Sequence, residues 1–347
     1  MAAGAVLERA GAWRMPAEWE PHEATLLTWP HRPGIWRGLH DEVEAVFGRL
    51  GARLSEVERL HVLVPDRDWE HRAKRAILRA GGLLPQTTFW RIDSDDVWAR
   101  DHGPTIVVRR DGGGRRMLDW KFNAWGGKFA SSLDDQVPTR LAEAWGWERV
   151  EPGIVMEGGA IEVNGAGDLL VTESVLLNPN RNPGHTRDEL TRMLLSLLGC
   201  ERVHWLGGGL VGDDTDGHID DIARFVSPRR IVIVSPPDDA HPDAAVMRDN
   251  LERARAFRTA DGGAFEVVTL PMPEPVCFGD EHLPASYANF YIANGRVLVP
   301  VFEQPSDAVA LDVLRGCFAG REVIGIDCRA LVSQYGAIHC VTQQVPA

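Results

Sequence analysis

The chain has 347 residues, of which 44% are hydrophobic and 25% charged, a composition typical of a globular protein with a buried core. Its 50 acidic residues outnumber its 37 basic ones, and the resulting net charge of -13 disfavours a nucleic-acid partner and favours a cationic ligand. No run of about 18 apolar residues occurs, and residues 1–16 lack the pattern of a secretory signal. We therefore expect a cytoplasmic protein without a membrane partner.

Short apolar runs bounded by turn residues recur along the chain and predict β-strands. The run that opens each predicted unit is ATLLTWP from residue 24, PTIVVRR from 104, DLLVTES from 168, RIVIVSPP from 230 and RVLVPVF from 296. Helix-like segments follow at 40–50, 133–145, 186–199, 243–257 and 306–318, and second apolar runs follow these at 61–65, 153–157, 202–206, 265–271 and 322–327. The sequence thus predicts five strand–helix–strand units.

Local signals refine these units. Thr186 and Glu189 form a capping box for the third helix, and Gly199 is placed to end it. The DGGG stretch at 111–114 predicts a hairpin turn, and residues 67–93 add a helix and a strand to the first unit.

The spacing of the units leaves two architectures open. Their first strands begin 62 to 80 residues apart, which is compatible with αβ modules arranged around an axis or with a plain α/β sandwich. Polar residues favour the first, because glycine, acid, histidine and cysteine gather after a closing run at four points: 98–104, 157–163, 207–221 and 334–340. In modules around an axis these points would converge at one end, where α/β folds build their sites.

Five cysteines form an odd set without a CxxC pair, in a chain too long to need disulfide bonds, so we expect free thiols. Cys340, which follows His339, is the candidate nucleophile. The others adjoin apolar runs and are expected to be buried: Cys200, Cys277, Cys317 and Cys328.

A nucleophilic cysteine needs a base or a cationic neighbour. If residues 337–341 form a strand, His339 and Cys340 point to opposite faces, so the partner must come from elsewhere. His218 is the best candidate, because Asp216 and Asp220 alternate with it and a neighbouring carboxylate orients an imidazole and raises its pKa.

A transition-metal site is an open alternative. His218, Asp220, His102 and Asp101 offer suitable ligand atoms, although no HExxH or CxxC spacing supports this interpretation. A metal-dependent hydrolase would use this cluster without needing Cys340.

Three acids accompany the cysteine in these segments, namely Asp101, Glu157 and Asp220. They would oppose the negative charge that develops in acyl transfer, but they suit a cationic electrophile. A guanidinium pairs with carboxylates in a bidentate manner, and its charge would favour the thiolate. The cluster therefore predicts a site that cleaves amidines.

Six blocks of sequence, in order, resemble the agmatine deiminases, within the larger family that also holds bacterial peptidylarginine deiminases. The resemblance spans residues 15–344. It implies a five-bladed α/β propeller of the pentein type that forms one catalytic domain over 1–347, a homo-oligomeric (dimeric) assembly, and hydrolysis of agmatine to N-carbamoylputrescine and ammonia without metal or cofactor. The blocks are MPAEWEPHEATLLTWPH, VWARDHGPT, EGGAIEVNGAGDLLVTESVLLNPNRNP, DDTDGHIDDIARF, SYANFYIANGRVLVPVF and GAIHCVTQQ.

The resemblance also implies roles for the acid cluster. Cys340 would form an amidino-cysteine (thiouronium) intermediate. His218 would protonate the departing ammonia and then activate water. Asp220 and Asp101 would hold the guanidinium, and Glu157 would hold its nitrogens and assist proton transfer.

The rest of the substrate is less well defined by sequence. Trp98 is expected to line the channel against the methylenes, and a place in the core is its alternative. Asp216 would suit the terminal amine of agmatine. Free arginine would instead need a positive group such as Arg181 or Arg187, and peptidyl-arginine, the other alternative, would need an open mouth.

Two departures from many agmatine deiminases bear on the substrate. Residues 335–337 are Tyr, Gly and Ala where those enzymes carry a glycine run, and Asp216 and Asp221 stand where many have Asn. Neither departure alters the predicted chemistry.

Overall fold

The computed structural model describes residues 10–347, so the N-terminal segment without a signal pattern lies partly outside the described residues. The protein has a mixed α/β fold. Its strands are β1 (Trp13–Arg14), β2 (His22–Thr28), β3 (Arg59–Val64), β4 (Thr87–Arg91), β5 (Thr105–Arg109), β6 (Arg115–Leu118), β7 (Glu148–Val150), β8 (Glu162–Val163), β9 (Asp168–Thr172), β10 (Arg202–Leu206), β11 (Ala223–Ser227), β12 (Arg230–Ser235), β13 (Glu266–Pro271), β14 (Val276–Phe278), β15 (Glu281–Leu283), β16 (Tyr291–Ala293), β17 (Arg296–Val301), β18 (Glu322–Asp327) and β19 (Thr342–Pro346).

Six helices have nine or more residues, and shorter helical turns connect the strands. The six are α1 (His40–Ser55), α2 (Arg67–Arg79), α3 (Val137–Trp145), α4 (Arg187–Leu198), α5 (Ala244–Ala256) and α6 (Pro305–Cys317). The single α-turns are Ala99–His102, Ala124–Gly127 and Glu173–Leu176, and the 3-10 turns are Ala10–Ala12, Pro33–Ile35, Leu84–Gln86, Asp134–Gln136, Gly158–Ala160, Ile219–Asp221 and Leu331–Gln334.

Helix α4 shows how local sequence sets an element. Thr186 accepts a hydrogen bond from the backbone N–H of Glu189, and the Glu189 carboxylate accepts one in return, as the capping box predicts. Gly199 ends the helix in the left-handed conformation. The buried leucines, at helical spacing on one face, are Leu190, Leu194, Leu197 and Leu198.

Five sheets share one topology, in which a central strand pairs antiparallel with one neighbour and parallel with the strand that follows a helix. Their orders are β19-β2-β3-β4, β1-β5-β6-β7, β8-β9-β10, β11-β12-β13 and β16-β17-β18, and β14-β15 forms a separate hairpin. The described strands form separate sheets rather than one closed sheet.

The predicted opening strands are confirmed in all five units, and so are the five helices and the hairpin at 111–114. The strand predicted at 153–157 is wrong: this segment makes one bridge, Lys121 to Val155, and β7 supplies the parallel partner of β6 instead. Residues 338–340 form a turn rather than a strand, with the N–H of Thr342 donating to the carbonyl of His339.

The largest core cluster runs between the sheets and is rich in aromatic side chains, including fully buried Trp29, Trp36 and Phe290. Within residues 10–347, no helix is both long and apolar enough to span a bilayer. All five cysteines are free thiols, as predicted. The expectation of burial is wrong for Cys277, which is exposed on the β14–β15 hairpin, while Cys328 is buried.

Candidate active site

Four short segments bring the predicted site residues together. Asp101 lies in the turn Ala99–His102, Glu157 precedes the turn Gly158–Ala160, His218 and Asp220 flank the start of Ile219–Asp221, and Cys340 ends the loop after β18. All five side chains are at most 6% exposed. Sequence reasoning placed these segments at strand ends, and the structure shows them converging.

Cys340 is held by Asn289. The Nδ2 of Asn289 donates to Cys340 Sγ at 3.1 Å and to Asp221 Oδ1 at 2.9 Å, while its Oδ1 accepts from the backbone N–H of His339 at 2.9 Å. Burial, together with the charges of Asp220, Asp221 and Asp101, holds the pKa of the Cys340 thiol well above its usual value. The thiol is therefore protonated in the free enzyme, and a cation bound beside it would favour the thiolate.

His218 stands between two carboxylates. Its Nδ1 is 3.8 Å from Asp101 Oδ1, and its Nε2 is 3.9 Å from Glu157 Oε2. Burial lowers the pKa of His218, but the charges of Asp101, Glu157 and Asp220 outweigh burial and raise it to about 10. His218 is thus an imidazolium at neutral pH, and its buried Nε2 has no hydrogen-bond partner among residues 10–347.

Glu157 has one oxygen fixed and one free. Its Oε1 accepts from Arg181 Nε at 2.6 Å, and its Oε2 is buried and has no hydrogen-bond partner in the described part of the chain. Burial raises the pKa of Glu157, but His218 and Arg181 outweigh it, so the pKa lies below its usual value and the group is a carboxylate. Arg181 in turn binds Asp216 and the carbonyl of Thr215, which tethers the segment before His218.

Asp220 is oriented in the same way by a histidine. Its Oδ2 lies 2.6 Å from His339 Nδ1, and the Nε2 of His339 lies 2.7 Å from Glu18 Oε2, so both ring nitrogens of His339 are occupied. His339 therefore does not serve Cys340, as expected. The other carboxylate oxygen, Asp220 Oδ1, is buried and accepts no hydrogen bond from the residues that the structure describes.

Asp101 has both oxygens oriented by donors. Its Oδ1 accepts from the backbone N–H of Gly159 at 2.9 Å, and its Oδ2 accepts from Trp125 Nε1 at 3.0 Å. Burial, with the charges of Asp220 and Glu157, raises the pKa of Asp101 to about 6 although His218 opposes this. A bound cation would lower that pKa again.

A pocket of about 260 Å³ leads to Cys340. Its charged lining residues are all acids, and burial raises the pKa of Asp96 to about 6 and, together with neighbouring Asp213, that of Asp214 to about 7. The residues that line it are Ile35, Asp96, Trp98, Asp101, Trp125, Phe129, Asp214, Thr215, Gln334, Tyr335, Gly336 and Cys340.

The remaining predicted residues take different places. Trp98 is 5% exposed and belongs to the core, yet one side of it also lines the pocket. Asp216 is not among the residues that line the pocket, and its carboxylate binds Lys128 and Arg181. Arg181 is buried in its ion pairs, and Arg187 pairs with Glu173 at the surface, so neither faces the pocket.

The four candidate metal ligands, His218, Asp220, His102 and Asp101, do not come together as one group of ligand atoms. Among residues 10–347, three potential ligands come within 4.8 Å of one another, and they are Asp220, Asp221 and Cys340. His102 is buried, and burial lowers its pKa to about 3.

Sequence reasoning missed Asn289, Trp125, Asp96 and Asp214. Asn289 lies in SYANFYIANG, a block that was recognised but given no role, and Asp214 lies in the acidic segment before His218. The contacts of Asn289 and Trp125 join positions far apart in the chain, so no local pattern could have revealed them.

The structure thus places a buried cysteine, a histidine and several carboxylates together within a mixed α/β fold. The chain belongs to the family of Porphyromonas-type peptidyl-arginine deiminases, whose family model matches residues 14–346.

Proteins similar in sequence to this chain include agmatine deiminases. The agmatine deiminase of Pseudomonas aeruginosa is 36% identical, with 98% of this chain and 97% of that protein covered. The solved structure of agmatine deiminase from Enterococcus faecalis is similar, with 30% identity, a TM-score of 0.90 and 96% of each chain covered. A cysteine-to-serine variant of agmatine deiminase from C. jejuni, with substrate bound, is also similar, with 28% identity, a TM-score of 0.89 and 96% of each chain covered.

Proposed function

We propose that the protein hydrolyses agmatine to N-carbamoylputrescine and ammonia through a covalent amidino-cysteine. One observation carries the proposal: Cys340 and Asp101 line the acid-lined pocket, and the buried cluster beside them holds three polar atoms without a partner among residues 10–347, namely His218 Nε2, Glu157 Oε2 and Asp220 Oδ1. Buried polar atoms without partners are costly unless a ligand satisfies them. The activity of the agmatine deiminase relatives supports the same conclusion.

The guanidinium is the ligand that these atoms fit. Its planar fork of donors matches the free oxygens of Asp220 and Glu157 and the second lone pairs of Asp101. Its positive charge offsets the carboxylates that hold the pKa of Cys340 high, so substrate binding itself favours the thiolate.

As the cationic substrate binds, the thiol of Cys340 loses its proton to solvent. In the first step the resulting thiolate attacks the guanidinium carbon and forms a C–S bond, giving a neutral tetrahedral adduct. His218, already an imidazolium, donates its proton to one NH2 group, and the C–N bond breaks to release ammonia. The product of this half-reaction is a thiouronium on sulfur with a neutral His218.

In the second step the now neutral His218 takes a proton from water as the water oxygen attacks the same carbon. Glu157, 3.9 Å from His218, orients the imidazole and stabilises the returning imidazolium. The C–S bond then breaks and the electron pair returns to sulfur. The hydroxyl proton passes to the Cys340 thiolate, which restores the thiol and leaves the neutral ureido product.

The pocket favours agmatine over arginine. Trp98, Trp125 and Phe129 provide apolar walls for the methylenes, and the acids Asp96 and Asp214 suit a terminal amine. An α-carboxylate would instead meet these acids, while Arg181 and Arg187 are engaged elsewhere. The carboxylate of Asp216 already binds Lys128 and Arg181. A direct contact of Asp216 with the substrate therefore has no support from these contacts and stays a prediction.

The test is release of ammonia and of the ureido product from agmatine, free arginine and a blocked arginyl peptide, with and without chelator, and with Cys340→Ser as control. We expect turnover of agmatine, indifference to chelator and loss of activity in the variant. Preference for either arginine substrate would overturn the substrate assignment. Loss of activity with chelator, with Cys340→Ser active, would favour a metal-dependent hydrolase, and tight agmatine binding without ammonia would favour a binding protein.

The proposal extends to the architecture and setting of the enzyme. The shared topology of the five sheets supports a five-bladed α/β propeller that forms one catalytic domain over 1–347, of which residues 10–347 are described. We propose further that it acts without a cofactor, as a cytoplasmic homodimer.

A further inference from the structure

Tyr335 stands in the pocket wall in a backbone conformation that side chains rarely adopt. Its φ is 68°, in the left-handed region that favours glycine. The next residue, Gly336, packs so closely on Trp98 that a Cβ there would clash with the ring. A strained residue persists only where the surroundings hold it, and such residues cluster at functional sites.

Contacts from two distant segments hold Tyr335 in place. Arg37 donates to the Tyr335 hydroxyl at 2.6 Å and to Glu281 Oε2 at 2.6 Å, and the hydroxyl donates to the other oxygen of Glu281. The Arg37 guanidinium also lies over the ring of Tyr335, at 5.2 Å, and over that of Phe278, at 4.9 Å. Glu281 and Phe278 belong to the β14–β15 hairpin.

Of the three residues Arg37, Glu281 and Tyr335, it is Tyr335 that lines the pocket. Tyr335 is half-buried, whereas Arg37 and Glu281 reach solvent and bind its hydroxyl. Arg37 also has a left-handed backbone, with a φ of 52°. These contacts therefore fix the aromatic ring in the pocket wall.

We propose that Tyr335, braced by Arg37 and Glu281, is a specificity-determining residue that restricts the site to guanidinium groups on a slim, unbranched alkyl chain. The inference rests on the proposed deiminase function. An alkylguanidine such as agmatine passes the ring along its whole length, whereas a guanidinium attached to a peptide branches at the α-carbon and brings two amide groups to the wall.

The experiment compares kcat/KM for agmatine with kcat/KM for N-acetyl-arginine amide in the wild type, Tyr335→Gly and Tyr335→Phe. Glycine suits a φ of 68°, so Tyr335→Gly is expected to fold, which a thermal melt checks. We expect it to raise the ratio of blocked arginine to agmatine at least tenfold, mainly by lowering KM for the blocked arginine. Tyr335→Phe keeps the ring and is expected to change the ratio less than threefold.

Arg37→Gln removes the contacts that hold Tyr335 without altering the residues that line the pocket. It should raise the ratio of blocked arginine to agmatine to a value between those of Tyr335→Phe and Tyr335→Gly. The proposal is overturned if Tyr335→Gly leaves the ratio within threefold of the wild type, or if Tyr335→Phe raises it as much as Tyr335→Gly. Failure of the deiminase assignment would look different, because the wild type would then release no ammonia from agmatine.

Discussion

Replacement of Arg181 by Gln tests how the buried Glu157 carboxylate is held. The Arg181 side chain is 1% exposed and pairs with Glu157 at 2.6 Å and with Asp216 at 2.8 Å. In Arg181→Gln the new amide would keep some hydrogen-bonding capacity, but the buried Glu157 charge would lose one of its two cations, the other being His218. The surface pair of Arg187 with Glu173, at 2.7 Å with side chains 47% and 29% exposed, supplies a matched control in Arg187→Gln.

The expected magnitudes differ because of burial. Removing one partner of a buried ion pair typically costs about 3–5 kcal/mol, whereas exposed pairs contribute about 0–1 kcal/mol. The loss of Arg181 also removes a cation that lowers the pKa of Glu157, so that pKa should rise. We therefore expect a large fall in the free energy of unfolding and a fall in kcat for Arg181→Gln, and little change in either for Arg187→Gln.

Urea unfolding at about pH 7.5 and agmatine turnover measure these effects. If the poorly compensated charge of Glu157 is the cause, adding Glu157→Gln to Arg181→Gln should recover part of the stability while activity stays lost. A fall of less than about 1 kcal/mol in Arg181→Gln, or no recovery in the double variant, would refute the reasoning from the buried pair.

Three further predictions concern the same site. Gly159→Ala would bring a Cβ into steric conflict with His218 Nδ1, so turnover of agmatine should fall at least a hundredfold, whereas Gly184→Ala, with nothing within 4 Å, should leave it unchanged. The pKa of His218 is about 10 in the folded protein, so the stability that its protonation contributes is present below about pH 6.5 and is lost as the pH rises through 10. Between pH 7 and 10 the free energy of unfolding in urea should therefore fall less steeply with pH in His218→Asn than in the wild type, by up to about 1.4 kcal/mol per pH unit. Asn289→Ala removes the donor to Cys340 Sγ, so the rate of active-site alkylation, followed by mass spectrometry of the Cys340 peptide, should fall; an unchanged rate would show that Asn289 does not support the thiolate.

Local patterns predicted most of the secondary structure. The opening strands and helices of the five units follow from apolar periodicity, and the ends of α4 follow from Thr186, Glu189 and Gly199. The error at 153–157 has a physical cause: Ile154 and Met156 are buried, but in irregular backbone, and burial alone gives the same apolar pattern as a strand. A short apolar run cannot by itself distinguish the two.

The sequence by itself determined which residues form the candidate site, because residue type and spacing mark Cys340, His218 and the acids, and their strand-end positions predict that they meet. Tertiary structure alone decided their electrostatic state. The pKa of about 10 for His218 depends on carboxylates that distant segments bring to it, and the free oxygens of Glu157 and Asp220 are free because Arg181 and His339 hold the opposite ones. Burial makes each such contact decisive, and burial belongs to the fold rather than to any segment.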